Sequence, residues 1–448
     1  MYPGALLAQE CCSYQASTQL LMRMRGRMAV IVHSDRDCSN VLPKTGGFLQ
    51  SEGGYRFFCT NMKEDELVTG QGNAKLRRAI ELVHAAQKPD LIIVLATCPT
   101  VMIGDNVKNV VRKAGRDLGV NVVAEMTNGL RPKSPAEVVD DLYSILCRGA
   151  RPAPPELDLA RRLNLVGIQL SADERAEVEA VLAAMGMTVN VMLSEEASLD
   201  DFLSVEAAKW NVHPGPNLML AFDEQCRQKF AQQTIEVPLP FGVEATDRFY
   251  GAIATAVGVD EKVLDAAIAA PRAAAAAAVT AARTRLRERI EKEKRRAPRC
   301  AFNIGSVRSF DLRRIAHEEM GELPLFGELG IDCKLFIQGP QDAANRERTA
   351  GVLAELGVKH DFVIFPDPGS LAKHIQTGEF DVFVGADFLA DELSKVNLPL
   401  LDKSVLGLGY GAADINLLHL EGAVFQSFYR HFEPSPKTAS PVPEPCRV

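Results

Sequence analysis

Short apolar runs recur along the chain, each closed by a loop rich in Gly, Asn, Asp or Pro and followed by apolar residues at helical spacing. That alternation marks βα units around a parallel sheet, whose central strands are apolar on both faces. In the first stretch MAVIVHS (28–34), DLIIVLATC (90–98) and NVVAEM (121–126) predict strands, and GNAKLRRAIELVHAA (72–86) and DNVKNVVRKAGRDL (105–118) predict helices. A second stretch offers LNLVGIQL (163–170), a helix over 172–186, TVNVMLS (188–194) and a run near 210–215, closing around 237–258. A third starts at CAFNIGS (300–306) and continues through 331–339, 359–367 and 380–387.

Pro152, Pro154 and Pro155 crowd the segment 150–158, and proline continues neither helix nor sheet, so a first boundary is expected there. Residues 261–297, rich in Ala, Arg, Glu and Lys, predict a long, solvated connector helix rather than a basic docking patch. The expected fold is α/β, with three Rossmann-like doubly wound domains on parallel sheets. These comprise 1–153, 154–298 with the connector helix, and 299–448 with a Pro-rich tail. At 448 residues the chain exceeds the roughly 250–300 at which one core stops growing, which agrees with several domains.

A formal charge of -8 and a pI near 5.6 argue against a phosphate-binding surface. The first residues carry no basic region before an apolar core, and no run reaches the roughly 18 uninterrupted apolar residues of a membrane span, so a cytoplasmic protein is expected. Ten cysteines in such a compartment are expected to be metal ligands, reactive thiols or small buried hydrophobes, not a disulfide framework.

Three of them, Cys12 near the start, Cys38 just past a strand and Cys98 just past another, belong where strand ends converge on one edge of a parallel sheet. Thiolates are the ligands of iron–sulfur clusters, usually four per cubane, so three from one chain leave the rest to a second chain. The plain alternative is three packed structural thiols. Zinc fits less well, since no CxxC pair exists and Cys11 and Cys12 are too close to chelate one ion comfortably.

The run 60–83 carries Glu64 and Asp65 before a turn with Gly70 and Gly72, and 88–111 carries Cys98 followed by Ile103, Gly104 and Asp105. In that order and spacing the chain resembles the nitrogenase component 1 family. The spacing of Cys12, Cys38 and Cys98 resembles the family's three ligands to its interfacial cluster. The resemblance implies an iron–sulfur cluster of eight-iron P-cluster or four-iron type, shared with a partner subunit, and places Ser134 near it. HSDRDC departs from the family's His-Gly lead into the second cysteine, removing the close backbone approach that glycine permits.

The family's catalytic subunit holds a further cofactor through one Cys and one His. Here Pro214 and Leu406 stand near those positions, Cys226 reads as a packed thiol, and His419 is out of register. Pro240, Gly242, Thr246, Asp247 and Phe249 resemble the β-type pattern instead. No Walker A loop, Ser-His-Asp order or GxSxG elbow is present, and acidic runs such as that at 385–394 read as solvated faces. The resemblance thus implies a β-type subunit that relays electrons from a separate ATP-dependent iron–sulfur reductase protein to a cofactor in a homologous α-type partner, in an α2β2 heterotetramer. Methylthio-alkane reduction is the leading substrate expectation. The alternatives are a scaffold for iron–sulfur cofactor assembly and a tetrapyrrole reductase subunit.

Overall fold

The structure is a computed structural model that describes residues 12–39, 56–127, 129, 133, 135–194, 197–215, 219–293, 295–306, 320–376, 378–386 and 389–425. Its contacts group into two compact units, one of Ala8–Pro240 with Glu244–Ala270, the other built chiefly from Pro271 onward.

The first unit holds two sheets. One comprises β1 (Met28–His33), β2 (Phe57–Cys59), β3 (Leu91–Ala96) and β4 (Asn121–Met126), in the order β2-β1-β3-β4. All neighbours are parallel, with Val32 opposite Cys59 and His33 opposite Ala96. Both β1 and β3 are buried throughout, because the alternation serves two cores. Val30, Val32, Ile93 and Leu95 face a cluster with Tyr14, Leu21, Leu142 and Tyr143. Ile31, Ile92 and Val94 face another with Leu76, Ile80, Val107 and Val111. That two-sided packing is the doubly wound arrangement, and each fully buried aliphatic side chain contributes about 1.5–3 kcal/mol.

The other sheet comprises β5 (Arg162–Val166), β6 (Thr188–Leu193), β7 (Trp210–Pro214) and β8 (Gln233–Val237), again in the order β6-β5-β7-β8 and parallel. A row of amides crosses it. Asn190 Nδ2 donates to Asn164 Oδ1 (2.8 Å), Asn164 Nδ2 to Asn211 Oδ1 (2.8 Å), and Asn211 Nδ2 to Gln232 Oε1 (3.2 Å). Gln232 Nε2 ends the row on the carbonyls of Val205 (2.7 Å) and Ala208 (2.8 Å).

The second unit carries β9 (Arg299–Ser306), β10 (Asp332–Gln338), β11 (Phe362–Phe365), β12 (Val382–Gly385) and β13 (Leu400–Asp402), in the parallel order β11-β10-β9-β12-β13. Three parallel sheets in an α/β fold are therefore as expected. The connector is a helix over Glu261–Lys292 with Pro271 inside it. Its buried stripe is Ile268, Ala275, Val279, Ala282 and Leu286. By length and composition alone it is the one helix among the described residues able to cross a bilayer.

The apolar pattern did not announce helix Ser13–Arg23 or strands β2, β8 and β13. β2 and β13 are three residues long, too short for any period to register, and all three strands lie at sheet edges.

Candidate thiol site at the strand ends

In the first sheet the chain passes from β1 outward to β2, then returns to β3 and continues to β4, so the crevice between the C-terminal ends of β1 and β3 is the switch point where open α/β sheets hold ligands. Cys38 and Cys98 occupy those two ends. After His33 closes β1, the Asp35 carboxylate accepts the backbone N–H groups of Asp37 (3.1 Å) and Cys38 (3.3 Å), a local turn that starts helix Arg36–Ser39. After β3, Cys98 opens helix Cys98–Met102 with Pro99 in its first turn, where a missing N–H costs nothing. Gly129 N–H donates to Cys98 Sγ at 3.1 Å.

Thr97 Oγ1 donates to Ser34 Oγ at 2.6 Å, and both hydroxyls reach the Cys38 sulfur. Burial nevertheless pushes the Cys38 thiol up, with the charges of Asp35 and Cys98 acting the same way. Cys12 is exposed at the start of helix Ser13–Arg23, where its carbonyl accepts Ala16 N–H at 3.1 Å. Two residues on, Tyr14 is only 2% exposed, and its hydroxyl has no hydrogen-bond partner among the described residues. Its phenol is pushed up by burial first, then by the charges of Cys38, Cys59 and Cys12. Cys38 and Cys98 thus stand at neighbouring strand ends on one sheet edge, Cys59 ends β2 beside them, and Cys12, exposed, starts the helix that carries Tyr14.

Cys59 was missed because a three-residue strand gave no sign that position 59 is a strand end. The presence of a cysteine beside the TNMKEDE run was the one available signal.

The motif residues beside the thiols brace the shelf. Gly72 opens helix Gly72–Gln87, and a Cβ there would stand 1.9 Å from Asp105 Oδ2. In the space so kept, Asp105 Oδ2 meets His33 Nε2 at 3.1 Å, while His33 Nδ1 meets Thr60 Oγ1 at 3.2 Å. Burial lowers the His33 pKa although Asp105 pulls it the other way. Gly70 (φ 69°) and Gly104 (φ 77°) take left-handed turns that suit glycine. Glu64 and Asp65 are exposed in helix Glu64–Val68, whose Glu66 pairs with Lys75.

Ser134 lies outside the described residues. Pro214 ends β7 in the core, Leu406 is buried, and His419 is half-buried on helix Ala413–Val424. Cys226 is fully buried and hydrogen-bonded to the Cys147 thiol; Cys300 and Cys333, opposite one another on β9 and β10, form a second packed pair. Among the described residues no three His, Cys, Asp or Glu side chains are grouped to hold a single metal ion. A cluster makes a different demand, since each thiolate binds its own iron and the sulfurs ring the cluster instead of closing on one point. Thiols at neighbouring strand ends of a switch point, with the buried Tyr14 hydroxyl that has no partner among the described residues, fit that demand.

The family model of nitrogenase component 1 type oxidoreductase matches residues 12–295. The chain is 27% identical over 241 residues to the nitrogenase iron-molybdenum cofactor biosynthesis protein NifE of Clostridium pasteurianum, covering 53% of this chain and 51% of that protein. It is 32% identical over 135 residues to the nitrogenase molybdenum-iron protein alpha chain of Methanosarcina barkeri, covering 29% and 25%. It is 25% identical over 181 residues to one polypeptide of the light-independent protochlorophyllide reductase of a Picosynechococcus strain, covering 38% and 35%. The chain spans about half the length, or less, of these curated relatives. Among solved structures, nitrogenase Cp1 at pH 6.5 shares the fold with a TM-score of 0.69 at 18% identity, over 97% of this chain and 92% of that one.

Proposed function

The chain belongs to the family of nitrogenase component 1 type oxidoreductases, and on that premise we propose that it is the β-type, cofactor-free subunit of a nitrogenase-like reductase. The observation that supports the reading is the position of Cys38 and Cys98 at the two strand ends that flank the switch point of the first sheet, with Cys12 starting the helix whose buried Tyr14 hydroxyl has no partner among the described residues. An iron–sulfur cluster bound there would accept and pass on single electrons. The protein's own part is to supply thiolates, to direct the Gly129 N–H and the hydroxyls of Ser34 and Thr97 at sulfur, and to hold the strand ends through His33 and Asp105. Such donors tune both potential and ligand orientation. Pro214 and Leu406, at the places where the resemblance puts cofactor ligands, support the cofactor-free assignment.

In this reading the subunit works in the cytoplasm with a homologous α-type partner in an α2β2 assembly. A separate ATP-dependent reductase delivers electrons, and the substrate is a methylthio-alkane undergoing reductive C–S cleavage. The test is anaerobic iron and acid-labile sulfide analysis of the complex co-purified with its partner, comparing wild type with Cys98→Ala. Loss of iron and of partner association supports a bridging cluster, whereas unchanged metal and assembly return the cysteines to simple packing.

The names of the biosynthesis relatives favour a second reading, a scaffold on which an iron–sulfur cofactor is assembled. Reductase-dependent turnover with bound metal that stays in place argues for the electron relay. Transfer of the metal to another protein without turnover argues for the scaffold.

A further inference from the structure

We infer that the open edge of the first sheet is a docking groove for an extended, acidic segment of a partner protein, which adds to β4 as a further strand and lays its carboxylates on a row of cations. None of the groove's residues belongs to the thiol site.

β4 is an edge strand, with β3 on one side and no strand on the other among the described residues. Thr127 N–H donates inward to the Ala96 carbonyl at 2.8 Å, so the two-residue alternation turns the N–H and C=O groups of Val122 and Ala124 to the open side. Such a row of backbone groups is a template for strand addition. Beside it runs a groove of about 450 Å³, whose lining includes the buried Val111 and Val123. Lys108, Arg112, Arg116 and Arg148 also line it, and no carboxylate does. The first three recur every fourth residue on helix Val107–Leu118, which packs on one face of the sheet. Arg148 comes from the turn Cys147–Gly149, which follows the helix packed on the other face. Gly115 lets helix Val107–Leu118 lie close to the edge, since a Cβ there would stand 3.0 Å from the Val120 carbonyl oxygen.

All four cations are exposed, and none makes an ion pair among the described residues; Arg112 holds only the Asn109 side chain, at 3.0 Å. The carboxylates nearby are engaged elsewhere. Asp117 holds Arg77 at 2.9 Å, and Glu125, on which the charge of Arg148 acts, holds Lys133 at 3.4 Å. In a chain of 58 acidic and 50 basic residues, a groove that carries cations alone is complementary to negative charge from outside.

Spacing selects the form of that charge. Residues four apart on a helix rise about 6 Å, and alternate residues of a strand about 6.6–6.8 Å, so acidic residues at every second position of an added strand meet Lys108, Arg112 and Arg116 in turn. A compact anion spans too little of a row about 12 Å long. A single-stranded nucleic acid has phosphates to offer, yet no aromatic side chain lines the groove to stack its bases.

The full chain is titrated into a short fluorescein-labelled peptide of alternating Glu and Val, read by anisotropy. The comparisons are the same peptide fully N-methylated, a Lys–Val peptide, oligothymidylate, and the double variant Arg112→Glu with Arg116→Glu. The expected result is saturable binding that weakens with salt, falls about tenfold or more in the double variant and on N-methylation, and is absent for the Lys–Val peptide. No binding of the Glu–Val peptide, or equal binding by the double variant, overturns the groove. Equal binding of the N-methylated peptide or of oligothymidylate overturns strand addition in favour of a plain charged surface. Trp210 fluorescence verifies folding, and Arg116→Ala alone provides a smaller loss of the same kind should the double variant unfold.

Discussion

Replacing Gly72 by alanine separates two physical accounts of the first-sheet motif by the sign of one number. On helix propensity alone, Gly72→Ala in helix Gly72–Gln87 gains about 0.5–1 kcal/mol. The structure places the new Cβ 1.9 Å from Asp105 Oδ2, far inside contact, so the carboxylate must leave or the helix must shift. Overpacking of that kind costs about 1–3 kcal/mol. Losing the Asp105 partner of buried His33, now 3.1 Å away, costs about 1.5–3 kcal/mol more. The net expectation is a destabilisation of about 2–5 kcal/mol. The chain's single tryptophan, Trp210, lies in the same compact unit as the first sheet, so its fluorescence during urea unfolding reports on the right part of the molecule. In an Asp105→Ala background the same glycine replacement should become neutral or stabilising, a coupling that a double-mutant cycle measures directly. A Gly72→Ala protein as stable as wild type, or two substitutions whose effects simply add, refutes the account.

Other substitutions test neighbouring claims. Tyr14→Phe removes a buried O–H beside the thiols and should make a cluster bound there harder to reduce, by about 40 mV, the equivalent of one net hydrogen bond; a redox titration that shows no shift or a positive one contradicts a role for that hydroxyl. His213 is buried against burial's own downward pull, yet Asp223 at 2.9 Å raises its pKa. Its stabilising charge is complete below about pH 6.5 and fades as pH rises through the raised folded value. His213→Gln should therefore lose more stability at pH 6 than at pH 9, and an equal loss at both would rule out the ion pair. Asn164→Leu strands Asn211 Oδ1 in a dry sheet and should cost about 1–3 kcal/mol in urea midpoint experiments, whereas Asn190→Ala on the edge strand β6 should cost less.

The long central strands were legible because burial on both faces writes continuous apolar runs, and β1 and β3 lie within the residues 28–34 and 90–98 that the pattern marked. Cys38 and Cys98 were legible for the same reason, since strand ends follow from strands. The amide row was not, because Asn164, Asn190 and Asn211 sit in three separate runs and only pairing makes them one object. Cys59 stayed hidden behind a strand too short to show a period. The Gly72 and Asp105 motif pointed to the right place for another reason than the one assumed, since it props His33 and touches no thiol among the described contacts. Such a signature attests to the shelf, and the cysteines alone attest to what rests on it.

The amide row also bears on how the second sheet can deform. A sheet packed only through methyl groups resists sliding weakly, since one apolar contact replaces another as strands move. Here any shear between β5 and its neighbours breaks directional bonds in an interior without water to replace them, and each loss is felt along the row because every amide is donor to the next. The plate is stiff along its strands. Motion within this unit is then expected to pass around the sheet, in loops and helices, leaving the plate itself to move as a solid body.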